Sequence, residues 1–207
     1  PESAIVSSDY GDGRRCPRPT LPREGFFRIE KVPGMKQATS WNDGRDRFVA
    51  AKGDIQNWRN LSDVEMVLYN FWIDSHMWIK SFDRRTRLVK LDRTSTTCLL
   101  DEWSTTGGQY KVENVFEALE QPGEWYLDRT TGKLYYLPRS GECLTKTEII
   151  APVLPQVVRL EGKSTEKQAV EAIRFEGLAF AHTEWQAPAG WAASHQGAQE
   201  VPGVFTL

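Results

Sequence analysis

A chain of 207 residues with 40% hydrophobic and 26% charged side chains is long enough to bury a real core, as one large all-β domain or as one domain plus part of a second. Its formal net charge of −2 offers no long-range attraction to a polyanion, and no apolar run approaches the ~20 residues that span a bilayer, so neither nucleic acid nor a membrane is an expected partner. Pro1-Glu2-Ser3-Ala4 has neither the basic nor the apolar region of a signal peptide, and the compartment of this soluble chain, cytoplasmic or secreted, is left open.

Residues 1–25 hold Pro17, Pro19, Pro22 and several glycines among four arginines, which predicts an extended segment lying across something else. From Phe26 short strand-like runs follow: 25–29, 47–50 and 64–69, with turn signals at Pro33-Gly34 and Asn42-Asp43-Gly44. In 71–82 the alternation changes phase, which predicts a bulge or corner near Asp74-Ser75. Val112–Glu120 has a helical texture, with Asn114 as its cap and Pro122-Gly123 as its end. Trp125–Leu127 and Lys133–Leu137 flank Asp128-Arg129-Thr130-Thr131-Gly132, a hairpin signal with glycine at a left-handed position. Frequent short strands with little helix predict an antiparallel β-sandwich over residues 26–140. Beyond it, the very short runs at 149–152, 157–160, 172–175 and 178–180 have the spacing of parallel β-helix rungs, so residues 141–207 are expected to form a partial β-helix with an uncovered apolar end.

The stretch Tyr110–Val115, Gln121–Asp128 and Gly132–Pro138 is similar to a segment of bacterial right-handed parallel β-helix glycoside hydrolases, β-xylosidase-like and fucosidase-like. Weaker matches lie at Asp12–Arg15 with Pro17-Arg18-Pro19, and at Gly177–Trp185. The resemblance implies a β-helix interrupted by a sandwich that looks like a carbohydrate-binding module, with catalysis on later rungs. Fold class is accordingly expected to be all-β, an antiparallel β-sandwich followed by the first rungs of a right-handed parallel β-helix. The implied role is an ancillary region of a hydrolase of plant or microbial polysaccharide, itself non-catalytic. Its implied partners are an oligosaccharide or polysaccharide and the remainder of the β-helix.

No catalytic acid or nucleophile can be placed residue by residue. For substrate contact the best local constellation is His182, Glu184 and Trp185, where an imidazole, a carboxylate and an aromatic face can converge on a sugar; the alternative is that His182 caps a strand end and Trp185 covers an interface. Among the eight tryptophans, Trp41, Trp58, Trp103 and Trp191 sit near turn residues and are the stacking candidates, whereas Trp72, Trp78 and Trp125 sit in strand runs and read as core. Arg14, Arg15, Arg18 and Arg23 suit an acidic sugar or phosphate, or else a solvated loop paired with acids such as Glu24. His182, His195 and Glu184 lack a ligand motif, and Cys16, Cys98 and Cys143 are too dispersed for zinc, so neither metal nor cofactor is implied. Two readings compete with the ancillary one: a purely structural or protein-interaction sandwich, and a small intact glycosidase using Glu184.

Overall fold

The computed structural model describes residues 9–11, 14–101, 104–163, 165, 168–180, 182–184, 188–194, 196–197 and 205–206. Its strands in chain order are β1 (Asp9–Gly11), β2 (Arg14–Cys16), β3 (Thr20–Leu21), β4 (Phe27–Lys31), β5 (Arg47–Ala50), β6 (Glu65–Asn70), β7 (Ile73–Asp83), β8 (Leu88–Leu91), β9 (Gln109–Glu113), β10 (Trp125–Asp128), β11 (Lys133–Tyr136), β12 (Ile149–Ile150), β13 (Val158–Arg159) and β14 (Phe205–Thr206).

The center is a closed antiparallel barrel and not the expected open sandwich. Six strands run β9-β4-β5-β8-β7-β6, and β6 pairs again with β9 to close the ring. The reason lies in two strands that each serve both halves of the barrel. Long β7 pairs with β6 through Ile73–Trp78 and with β8 from Ile79 onward, and the register slips between Ile79 and Ser81. β4 slips likewise between Ile29 and Lys31, pairing with β9 before the slip and ending on β5. Such irregularities add local twist and let a sheet curl until its edges meet. The phase change expected near Asp74-Ser75 is thus displaced, with Ser75 in regular pairing opposite Leu68. Alternation cannot distinguish a barrel from a sandwich, because both bury every second residue.

Inside the barrel the alternating residues Phe48, Met66, Leu68, Met77, Ile79, Val89, Tyr110 and Val112 have no measurable exposure. Tyr110 carries the one polar tip in this set, and its hydroxyl donates to Asp54 Oδ2 at 3.2 Å. The expected helix at 112–120 is instead the end of β9 followed by a single 3-10 turn at Phe116–Ala118. Asn114 is not a cap: it has φ 63° and its Nδ2 donates to the Asp63 carbonyl at 2.9 Å.

The β10–β11 hairpin forms a separate two-stranded sheet, outside the barrel. Its turn has the expected chemistry. Asp128 Oδ1 accepts the amides of Thr130 and Thr131, the Gly132 amide donates to the Asp128 carbonyl at 2.7 Å, and Gly132 has φ 69°. Trp125 anchors the leading segment, with Nε1 donating to the Cys16 carbonyl and its amide to that of Pro17.

The C-terminal stretch corrects the β-helix expectation. β12 pairs antiparallel with β1, β13 pairs in parallel with β14 over two residues, and 172–175 and 178–180 are not strands. Among the described residues no parallel rungs stack. A rung needs the same strand repeated in successive turns of chain, and two-residue pairings to unrelated segments do not supply that repeat.

Two glycines separate two kinds of constraint. A Cβ at Gly107 would stand 1.8 Å from the Ile29 carbonyl oxygen, whereas at Gly132 it would meet nothing within 4 Å and only φ resists it. Gly107→Ala is expected to cost about 3 kcal/mol or more through forced backbone displacement. Gly132→Ala should cost about 1 kcal/mol. Urea denaturation of both variants checks this, and equal losses would contradict the close approach of β4 to residue 107.

Candidate functional site

An aromatic surface caps one end of the barrel, built on the β6–β7 hairpin. Asn70 pairs with Ile73, so Phe71 and Trp72 form a two-residue loop, and Phe71 takes φ 54°. Tight hairpins of this length require left-handed backbone, usually supplied by Gly or Asn. Here Asn70 holds the turn in place of a glycine. Its buried side chain accepts the Phe71 amide at 2.9 Å and donates through Nδ2 to the carbonyls of Cys98 and Leu100, both at 2.5 Å. Cys98 also donates its amide to the Trp41 carbonyl at 2.8 Å. One stretch of backbone therefore fixes both the hairpin and Trp41.

The consequence is a pair of tryptophans held side by side at the surface. Trp72 is 50% exposed and Trp41 37% exposed, with ring centroids 5.7 Å apart and planes tilted by 45°. Phe71 packs edge-on against Trp72 at 5.6 Å. Tyr69 through Asp74, together with Asp101, line a groove of about 460 Å³ beside them. Asp101 receives Arg28 at 3.1 Å, and Asp74 interacts with His76, whose hydrogen bond holds the carboxyl below its ordinary range. Along the neighbouring strand surface, Phe26 meets Tyr69 edge-on at 5.1 Å, and Lys111 Nζ lies 5.3 Å from the Phe26 ring centroid. Flat indole faces flanked by carboxylates can stack on the C–H face of a pyranose while accepting hydrogen bonds from its hydroxyls.

Residues 27–139 match the GH141 insertion domain family. The chain belongs to that family. The match takes in the whole barrel and the β10–β11 hairpin. It places this insertion domain among glycoside-hydrolase-related domains, without distinguishing the xylosidase-like or fucosidase-like type. A solved structure described as a glycoside hydrolase superposes with a TM-score of 0.69 at 20% identity, over 88% of this chain and 32% of that one. At that identity the likeness is one of fold, and the chain spans about a third of the neighbour's length. No curated protein matches the chain.

The tryptophans of the insertion domain divide differently from expectation. Trp72, expected in the core, is the most exposed part of the platform, because it occupies the tip of a hairpin and not the strand run. Trp58, a stacking candidate, is buried at 8% exposure, and Trp125 is core as expected. Trp103 lies outside the described residues. A clue was available in Asn70-Phe71-Trp72, where an asparagine precedes two residues that break alternation.

His182 is exposed with φ 62°, and the Glu184 amide donates to the Leu154 carbonyl at 3.1 Å. Trp191 is held on the barrel side, its carbonyl accepting from Arg93 at 2.7 Å while the next carbonyl, of Ala192, accepts the His76 amide. Trp185 and His195 lie outside the described residues. Among the described residues no group of His, Cys, Asp and Glu has the arrangement of a metal site.

A glycosidase needs two opposed carboxyls, one held protonated near neutral pH. Glu65 and Glu113 do face each other across β6 and β9, but the Arg18 guanidinium binds both, at 2.6 Å to Glu113. Burial alone would raise the Glu65 carboxyl, yet His76 and Arg18 outweigh it and bring its pKa down to about 2. Glu65 therefore stays ionised, and Arg18 joins the two carboxylates as a structural clamp. Asp54 and Asp63 are raised by burial, but Asp54 accepts from Tyr110 and Asp63 pairs with Arg129 at 3.4 Å. Arg23 is likewise consumed, by Glu124 and the Ala118 carbonyl, so two of the basic leading residues pair with acids far along the chain and not with Glu24.

The clamp predicts a pH profile. Desolvation opposes protonation of His76, but Asp74 and Glu65 lift its pKa from 6.5 to about 10. Its contribution is full below 6.5 and is lost as pH rises through about 10. Glu65, lowered from 4.5 to about 2, contributes fully above 4.5 and loses it as pH falls through about 2. Thermal melts across pH should therefore show the parent's advantage over Glu65→Gln greatest between pH 4.5 and 6.5. A difference that does not vary with pH would refute the assignment.

Proposed function

We propose that this insertion domain is a non-catalytic carbohydrate-binding region of a glycoside hydrolase, presenting Trp41 and Trp72 to a sugar chain. The observation that carries the reading is the exposed tryptophan pair fixed by Asn70 and Cys98, beside a groove ending in Asp74 and Asp101. Burying these rings against a core would be the cheaper arrangement for an indole, and their exposure calls for a ligand. The ion-paired state of Glu65 and Glu113 argues against catalysis by that pair.

The remainder of the hydrolase is proposed as the second partner. Val153, Leu154, Ile173, Phe175, Leu178 and Phe180 are all exposed in the stretch after the barrel, an apolar surface that suits packing against further protein. His182, Glu184 and Trp191 are retained as a secondary sugar-contact proposal on the same side of the sequence, supported by the exposure of Trp191.

Calorimetric titration of the purified chain with neutral xylo- and gluco-oligosaccharides tests the platform. Affinity near millimolar, about −4 kcal/mol, is expected. Trp72→Ala and Trp41→Ala should each weaken it by about tenfold while leaving circular dichroism unchanged. Binding indifferent to both variants would discard the platform, and no binding of any glycan would favour a purely structural domain. Turnover of aryl glycosides that disappears in Glu184→Gln would overturn the non-catalytic reading.

A further inference from the structure

The opposite end of β7 opens into a second, larger cleft that the aromatic platform does not use. It measures about 1150 Å³ and lies between the β7–β8 hairpin, the loop after β5 and the 3-10 turn at Phe116–Ala118. That exceeds the ~300–1,000 Å³ of ordinary small-molecule sites and suits an extended oligomer. Trp58 and Phe82 supply aromatic lining, and Gln56 and Asn57 supply amides that can both donate and accept.

The charges around the cleft are unequally committed. Arg87 is held by both oxygens of Glu30, and Arg23 by Glu124, so these cations are neutralised. Of the acids on the cleft wall, Glu117 accepts the Arg59 backbone amide at 2.7 Å and Glu120 is exposed, and neither is in a salt bridge among the described residues. By contrast, Lys52, Arg84 and Arg85 are exposed and form no salt bridge among the described residues, the neighbouring Asp83 carboxylate attracting Arg85 without pairing with it. Arg84 and Arg85 are adjacent at the hairpin tip, and the turn itself is fixed by Asp83 Oδ1, which accepts the amides of Arg85 and Thr86. Rigid backbone with unpaired guanidinium groups is suited to carboxylate recognition, because a planar fork matches a planar carboxylate.

We infer that this cleft binds a carboxylated oligosaccharide, with Arg84 and Arg85 receiving uronate carboxylates and Gln56 and Asn57 the hydroxyls. A bare inorganic anion would use the arginines but neither the amides nor the length of the cleft. The inference goes beyond the neutral-sugar platform and does not depend on it, since the two surfaces lie at different ends of β7 and the arginine variants leave Trp41 and Trp72 in place.

The test is calorimetry on the intact chain at low ionic strength with trigalacturonate, neutral galactotriose and inorganic sulfate as probes. Trigalacturonate should bind more tightly than galactotriose, and its affinity should fall in about 0.5 M salt. The exposed double substitution Arg84→Gln/Arg85→Gln should weaken it by about tenfold or more, with an unchanged thermal melt. Equal binding of the neutral trimer, an unaffected double variant, or absence of trigalacturonate binding would each overturn the inference. Sulfate that displaces the trimer at equal concentration would overturn the sugar part of it, leaving a simple anion site. Loss of neutral-oligosaccharide binding with trigalacturonate binding intact would fail the platform alone.

Discussion

Closure of the barrel by β6 on β9 is the constraint on which the other features depend. It can occur only because β4 and β7 each slip register once, which turns two sheet halves into a ring with no free edge. The same pairing sets Glu65 opposite Glu113, and two carboxylates in that position repel unless a cation lies between them. Arg18 supplies that cation from the leading segment, so the ion cluster ties residues before the barrel to its closing seam. Breaking one partner of such a cluster leaves a poorly solvated charge, so its removal is more disruptive than its net contribution suggests.

Closure also positions both candidate surfaces. β7 is long because it has to serve two neighbours in succession, and its ends consequently lie at the two rims of the barrel. One rim receives the Phe71–Trp72 loop and the other the arginine-bearing turn at 84–87. Rim loops on a rigid barrel can differ in chemistry without disturbing the alternating core beneath them. A neutral aromatic platform and a cationic cleft are therefore compatible with a single hydrophobic interior.

Local turn chemistry was legible in the sequence and long-range closure was not. Asp128 to Gly132 declares its turn because both the capping carboxylate and the left-handed glycine are neighbours in the chain. The barrel depends on register slips at Ile29 and Ile79, which have no distinctive residue, and on a β6–β9 pairing that sets Glu65 against the sequence-distant Glu113. Asn114 was misleading for a related reason: Asn serves equally well as a helix cap and at positive φ, and the Asp63 carbonyl, distant in sequence, decides between them. For the candidate site, Trp41 was marked by its turn context, whereas Trp72 was hidden in an apolar run until the hairpin showed it at a tip. The β-helix expectation failed because short apolar runs resemble rungs whether or not successive turns stack.

The strained loop beneath the platform bears on its role. A non-glycine residue at positive φ costs of order 1–3 kcal/mol and persists only where surrounding contacts over-determine it. Phe71 has such a φ, and the contacts that hold it come from Asn70, whose buried amide spends both its donors on the 98–100 backbone and accepts the Phe71 amide of the loop. A glycine at position 71 would relieve the strain but remove the ring that packs edge-on against Trp72. Retaining phenylalanine therefore exchanges turn stability for an indole fixed before any ligand arrives. Weak sugar binding gains most from that exchange, because the ordering cost of a mobile side chain, about 0.5–1.5 kcal/mol, is a sizeable share of a millimolar affinity.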